Sequence, residues 1–305
     1  MRQTNRQRAS AAARDARIGW MLAAPAMAAI ALVALLPMAW TLWESLHVHD
    51  LAMPWIGRPL VGLSNYSEAL RDRRMWDAAA HTAFFVAVSV SLELAGGLLL
   101  AVMLDRLVHL RGVVRTIVLL PWAIPMVVAA LTWRFIFESP GGLATVVSVK
   151  LGMTPPVWFA APLAAWFPLI LADVWKTTPF VALLLLAGLQ NIDRSLYEAA
   201  SMDGADAWRQ FVGVTLPLLR PTLLVALLFR ALDAFRVFDV VYVMTNGGPG
   251  TATEPLALYA FTTLLRNLRF GYGSALSVLM FAVAFGLALA AIRLIDRGVI
   301  GSGPA

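Results

Sequence analysis

The sequence predicts an all-α integral membrane protein with six transmembrane helices, on three observations. Hydrophobic residues fill 60% of the 305 positions and charged residues only 14%, against roughly a quarter charged in a soluble domain. The apolar residues gather in six runs, each long enough to supply the roughly 20 helical residues that cross about 30 Å of hydrocarbon. None of these runs alternates in polarity as a barrel strand does. Backbone groups in lipid must find partners within their own segment, so the runs are helices. There is no cysteine, which removes disulfide scaffolds, thiol catalysis and cysteine-ligated metal sites.

In chain order, residues 1–17 form a basic tail and 18–43 a first transmembrane helix, whose apolar run extends from Ile18 to Leu42. That run is too long for a signal peptide and has no small-residue cleavage site after a short apolar core. Residues 44–80 form an outer loop in which Pro54, Trp55, Pro59 and Trp76 suggest a short structured cap at the interface. Residues 81–295 form a five-helix core: His81–Leu104, Arg115–Phe137, Pro162–Leu189, Leu216–Met244 and Ser274–Ile295. Between the third and fourth spans, Pro140, Gly141, Gly142, Pro155 and Pro156 mark a turn-rich outer segment. A polar loop at 191–217 interrupts the core, and a tail at 296–305 closes the chain. No internal repeat is visible, which disfavours folds built from two inverted halves.

Orientation follows from the basic residues. With the N-terminus inside, the inner segments hold thirteen of them: Arg2, Arg6, Arg8, Arg14, Arg17, Arg106, Arg111, Arg115, Arg194, Arg209, Arg220, Arg293 and Arg297. The outer segments hold seven, and four of these share the first outer loop with acidic residues. The bias places both termini in the cytoplasm. The net charge of +6 therefore reflects membrane orientation, and no nucleic-acid partner is expected.

The loop between the fourth and fifth spans, Asn191 to Pro221, is longer than adjacent helices need. Asp193 or Ser195 marks the start of a short helix carrying Glu198, Ala199 and Ala200. Gly204, after Asp203, allows a sharp bend. Trp208, Phe211 and Val212 then recur at helical spacing, and Leu216-Pro217 opens the next span. Periodicity alone leaves two readings, an amphipathic helix lying on the inner leaflet or a helix pair that docks a partner.

Ionisable residues inside spans are costly and mark functional-site candidates. In the fourth span Asp173, Lys176, Thr177 and Phe180 share one helix face. In the fifth, Arg230, Asp233, Arg236 and Asp239 follow at intervals of three, and Glu93 stands alone in the second. Asp173–Lys176 and Arg230–Asp233 read either as ion pairs that fix helix orientation or as the lining of a polar cavity. In the second case carboxylates and bases meet the hydroxyls of a polar solute, while Trp175, Phe180 or Phe235 stacks on its apolar face. His47 and His49 alternate in the outer loop, a weak metal pair without a nearby third ligand, so no metal site is expected.

The spacing Glu-Ala-Ala, three residues, Gly, nine residues, aliphatic, one residue, Leu-Pro is met by Glu198-Ala199-Ala200, Gly204, Val214 and Leu216-Pro217 without a gap. In this the chain resembles the permease subunits of binding-protein-dependent ABC importers. The stretch from Phe238 to Ser277, with Trp175–Phe180, is similar to carbohydrate permeases of the maltose, trehalose and glycerol-phosphate group. Alanine- and arginine-rich usage fits an actinobacterial trehalose system.

The resemblance implies a type I ABC importer permease fold in a bacterial cytoplasmic (inner) membrane. It implies a second permease, two ATPase subunits that hold ATP and magnesium, and an external solute-binding protein that delivers the sugar. Glu198, Ala199, Ala200, Asp203, Gly204, Leu216 and Pro217 would form the coupling segment seated on an ATPase. Asp173, Lys176, Thr177, Phe180, Arg230 and Asp233 would face the substrate. Trehalose or maltose is preferred over glycerol phosphate, because the intramembrane charges mix acid and base instead of clustering arginines.

The chain itself has no phosphate loop, since neither Lys150 nor Lys176 follows glycine. No cofactor and no catalysis are expected of it. The rival reading is a proton-coupled secondary transporter with Asp173 or Asp233 as relay, and no nucleophile–base set supports an intramembrane enzyme.

Overall fold

The computed structural model describes the backbone of residues 17, 19–107, 111–152, 154 and 157–300, and their side chains except at 111 and 294–300. Residues 1–16 and 301–305, with Arg2, Arg6, Arg8 and Arg14, lie outside the described residues. So do Pro155, Pro156 and the side chains of Arg111 and Arg297. Among the described residues the structure is helical, with two isolated bridges, His47 to Leu60 and Asp50 to Arg269.

The helices, in order, are α1 (Gly19–Ser45), α2 (Ser64–Arg71), α3 (Arg73–Arg106), α4 (Arg111–Ala123) and α5 (Met126–Phe137). There follow α6 (Leu143–Lys150), α7 (Pro162–Leu189), α8 (Arg194–Met202) and α9 (Ala207–Phe235). The last are α10 (Asp239–Met244), α11 (Leu256–Arg266) and α12 (Phe270–Ile300). Five are long and apolar enough to cross a membrane, and α4 with α5, counted as one broken span, makes six.

Two spans depart from the sequence expectation. The third is not one helix: α4 and α5 meet at a break with an 86° bend. Pro121 within α4 and Pro125 before α5 each lack an N–H, so the ladder cannot run through. The fifth stops at Phe235, and its remaining apolar residues form the separate helix α10, with Asp239 complementing the positive end of its first turn. Pro217 is not at a helix start, because α9 already begins at Ala207. A π-helical turn at Phe211–Thr215 precedes it, as another at Ala31–Leu35 precedes Pro37 in α1. The wider register absorbs the missing donor.

The described residues pack as two units, those up to 69 with 263–278, and those in 70–262 with 279–300. In the first, the segment after α1 is pinned by side chains. Asn65 donates to the carbonyls of Ser45 and His47 at 2.8 and 2.9 Å, and Arg269 donates to Glu68 at 2.7 Å. His49 bonds Glu44 through Nδ1 and accepts from Arg58 at Nε2.

In the second unit α7 is the central helix, packed along α3 and against α4, α5 and α9. Its buried core joins Phe85 and Val90 of α3, Trp166 and Leu169 of α7, Ala234 of α9 and Val240 and Val241 of α10. Glycines let these backbones approach. A Cβ at Gly97 would sit 2.5 Å from Val181, and one at Gly188 would sit 2.7 Å from Thr222.

Candidate functional site

Within the second unit lies a cavity of about 930 Å³, lined from α4, α5, α7, α9, α10 and α12. All six residues expected to face substrate line it: Asp173, Lys176, Thr177 and Phe180 from α7, and Arg230 and Asp233 from α9. Helical periodicity put each set on one face, and the packing of α7 on α9 turned those faces toward one another.

The pairing differs from the sequence expectation. Arg230 is the hub, and its guanidinium is almost wholly buried. Nε donates to Glu93 at 2.5 Å and Nη2 to the other Glu93 oxygen at 2.9 Å, a bidentate grip on a carboxylate with no exposed surface. Nη1 donates to Asp233 at 2.5 Å, and Nη2 also reaches Asp173 at 3.4 Å. Glu93 therefore does not stand alone. It ties α3 to α9, while Asp173 ties α7 to the same group.

The ion pair Asp173–Lys176, one of the two readings that the sequence leaves open, is not formed. Lys176 Nζ instead donates to the carbonyl of Trp122 at 3.0 Å. That carbonyl belongs to the last turn of α4, where the break leaves acceptors without helical partners. Thr177 donates its hydroxyl to the Asp173 carbonyl at 2.7 Å, so toward the cavity it can act as an acceptor. Asp233, its side chain half exposed, also accepts from Arg236 at 3.0 Å.

Of the aromatic candidates, Phe180 and Phe235 line the cavity. Trp175 does not, its ring standing edge-on to Trp133 at 5.8 Å. Trp122 lines the cavity and was missed in the sequence. The Pro121–Pro125 pair was the available signal, since it marks a break that presents its intervening residues. Among the described residues no group of three or more His, Asp or Glu side chains stands close enough to hold a metal ion.

The 191–217 loop folds as α8, a bend and the start of α9. Asp193 caps α8, accepting from the Ser195 N–H at 2.9 Å, and this bond with that to the Ser195 hydroxyl holds its carboxyl below the usual carboxylate range. Gly204 sits at φ +77°. Around it the Ala205 N–H reaches the Ala200 carbonyl at 2.9 Å and the Gly204 N–H that of Ser201 at 3.0 Å, the paired bonds of a Schellman cap. Asp206 then caps α9 by accepting from the Arg209 N–H at 2.8 Å. Glu198 and Ala199 are exposed on α8, with Met202 88% and Trp208 70% exposed nearby.

Residues 93–301 match the family described as the inner membrane component of binding-protein-dependent transport systems. The chain belongs to that family. As a member, it is 43% identical over 281 residues to the trehalose/maltose transport system permease protein MalF of Thermococcus litoralis, covering 92% of this chain and 94% of that protein. It is 39% identical over 295 residues to the trehalose transport system permease protein SugA of Mycobacterium tuberculosis, covering 95% and 92%. In fold, this permease matches a chain of a bacterial ABC transporter involved in import of the acidic polysaccharide alginate. The TM-score is 0.80 at 23% identity, covering 93% of this chain and 98% of that one. These likenesses bear out the expected type I importer permease fold.

Proposed function

We propose that this chain is one permease subunit of an ATP-driven importer of a neutral disaccharide of the trehalose or maltose type, with the 930 Å³ cavity on the sugar's path. The observation that carries the reading is the convergence of Asp173, Lys176, Thr177, Phe180, Arg230 and Asp233 on that one cavity. Its size lies within the range of roughly 300–1,000 Å³ of small-molecule sites. Acids and bases alternate on its wall, which suits hydroxyls that both donate and accept, while a phosphate ester calls for a surplus of cations. The trehalose and maltose permeases among its relatives support the same class.

Family membership supports the following reading of the rest of the assembly. A second permease completes the path, an external binding protein delivers the sugar, and two ATPase subunits hold ATP and magnesium. The Glu198–Ala200 helix, with Asp203, Gly204 and the Leu216-Pro217 entry to the span, seats on one ATPase. Stiff coupling suits a lever joined directly to α9. Both termini are cytoplasmic, with 1–17 and 296–305 as tails and 44–80 as an outer cap.

The test is uptake of labelled trehalose and maltose by proteoliposomes holding the whole complex. Uptake should require ATP inside and loaded binding protein outside, and should survive a proton ionophore. Uptake driven by a proton gradient without ATPase subunits would replace this reading with the relay through Asp173 or Asp233.

A further inference from the structure

The polar side of the cavity accounts for sugar hydroxyls, but a sugar also has an apolar face of C–H groups. Trp122 occupies the cavity wall where α4 ends, beside the 86° break. It is half exposed. Phe180 of α7 lies nearly parallel to it, with ring centroids 5.7 Å apart and planes inclined by 17°. The indole is thereby held in an offset stack with a second ring, and half of the residue's surface stays exposed. Lys176 fixes the same residue from the backbone side through its bond to the Trp122 carbonyl. Two residues of α7 thus hold one aromatic ring of α4 at the cavity wall. Asp173 and Asp233 stand on the same lining.

We propose that Trp122, backed by Phe180 and held by Lys176, is the stacking platform for the apolar face of the transported sugar. The electron-rich face of an indole attracts the polarised C–H groups of a pyranose ring, and the rigid ring loses little conformational freedom on contact. Hydroxyls at the rim of a ring so placed reach toward Asp233 and Thr177. Lys176 is in this scheme a positioning residue, acting through Trp122. The inference rests on the cavity being the sugar site, and the experiment separates the two.

In proteoliposomes with the complete transporter and saturating loaded binding protein, labelled trehalose uptake per ATP hydrolysed is compared for Trp122→Phe, Trp122→Leu and Asp233→Asn. Trp122→Leu should lower that ratio at least tenfold at equal complex yield, and Trp122→Phe should keep more than about a third of it. If Trp122→Leu does not assemble, Trp122→Met, apolar and bulky without a π face, carries the same expectation. Lys176→Met should fall between these, with Lys176→Arg restoring the ratio. If Asp233→Asn loses uptake while Trp122→Leu or Trp122→Met matches the wild type, the platform is overturned and the cavity stands. If all of these variants match the wild type, the cavity itself is not the sugar site.

Discussion

At the scale of single residues, Arg230 decides how the cavity is built. A guanidinium has five N–H donors in a fixed fork, and here four contacts to Glu93, Asp233 and Asp173 occupy it. Its energetic role is therefore to neutralise buried carboxylates, with Asp233 left half free for a ligand. Removing one partner of a buried pair strands the other charge, at a cost of about 3–5 kcal/mol, while replacing both is often near neutral. Arg230→Met should accordingly reduce complex yield and thermal stability far more than Asp233→Asn, and adding Glu93→Gln to Arg230→Met should recover much of the loss. Detergent thermal-shift midpoints of the three variants measure this, and a double variant no more stable than Arg230→Met would exclude the pairing. The sequence exposed half of this site. Spacing along one helix paired Arg230 with Asp233, but Glu93 lies 137 residues away and no local pattern links them. Spacing alone leaves Lys176 open between an ion pair with Asp173 and the cavity wall, and it gives no sign of the carbonyl at the broken end of α4 that takes its ammonium.

At the scale of elements, the α8–α9 bend was legible because glycine stood where a left-handed residue is needed. A Cβ at Gly204 would meet nothing within 4 Å, so substitution there acts only through the backbone. For a residue with a Cβ the left-handed region costs about 1–2 kcal/mol, less for asparagine and more where the side chain is β-branched. Gly204→Asn should keep ATP-driven uptake near the wild-type rate, and Gly204→Val should lower it several-fold without affecting membrane insertion. Equal uptake by both variants would show that the bend is not needed for coupling. The cap of α8 adds a pH expectation. Asp193 has its carboxyl lowered by Ser195, so its contribution to α8 is complete above the ordinary aspartate range and fades as pH falls through the lowered value. Amide exchange over 194–202 should thus be flat with pH near neutrality, after correction for intrinsic rates, and Asp193→Asn should change it little there. The break between α4 and α5 was harder to read. Hydrophobicity over 115–137 is continuous, and only Pro121 and Pro125, four apart, betray that no single helix could run through.

At the scale of the whole molecule, the number of crossings and their direction rest on different physics. Apolar length gives the count, and α4 with α5 supplies a sixth span only as a broken one. Direction rests on arginine placement, a bias of many small contributions that no contact within the chain registers. A labelling experiment joins the two, because the chain has no cysteine of its own. Met202 closes α8 and is 88% exposed, and Thr251 is exposed in the turn between α10 and α11. Between them the only helix long and apolar enough to cross, among the described residues, is α9. The short helix α10, six residues long, reaches only about 9 Å at 1.5 Å per residue, far less than a bilayer requires. The two sites must then lie on opposite faces of the membrane. Met202→Cys should react in intact cells only with a permeant maleimide, and Thr251→Cys should also react with an impermeant one added outside. The reverse pattern would keep α9 as a span but invert the orientation, placing the α8–α9 bend where no ATPase could meet it. Labelling of both by the impermeant reagent would mean that α9 does not cross, and the Ala207–Phe235 helix would have to lie along the surface with Arg230 and Asp233 no longer inside the bilayer.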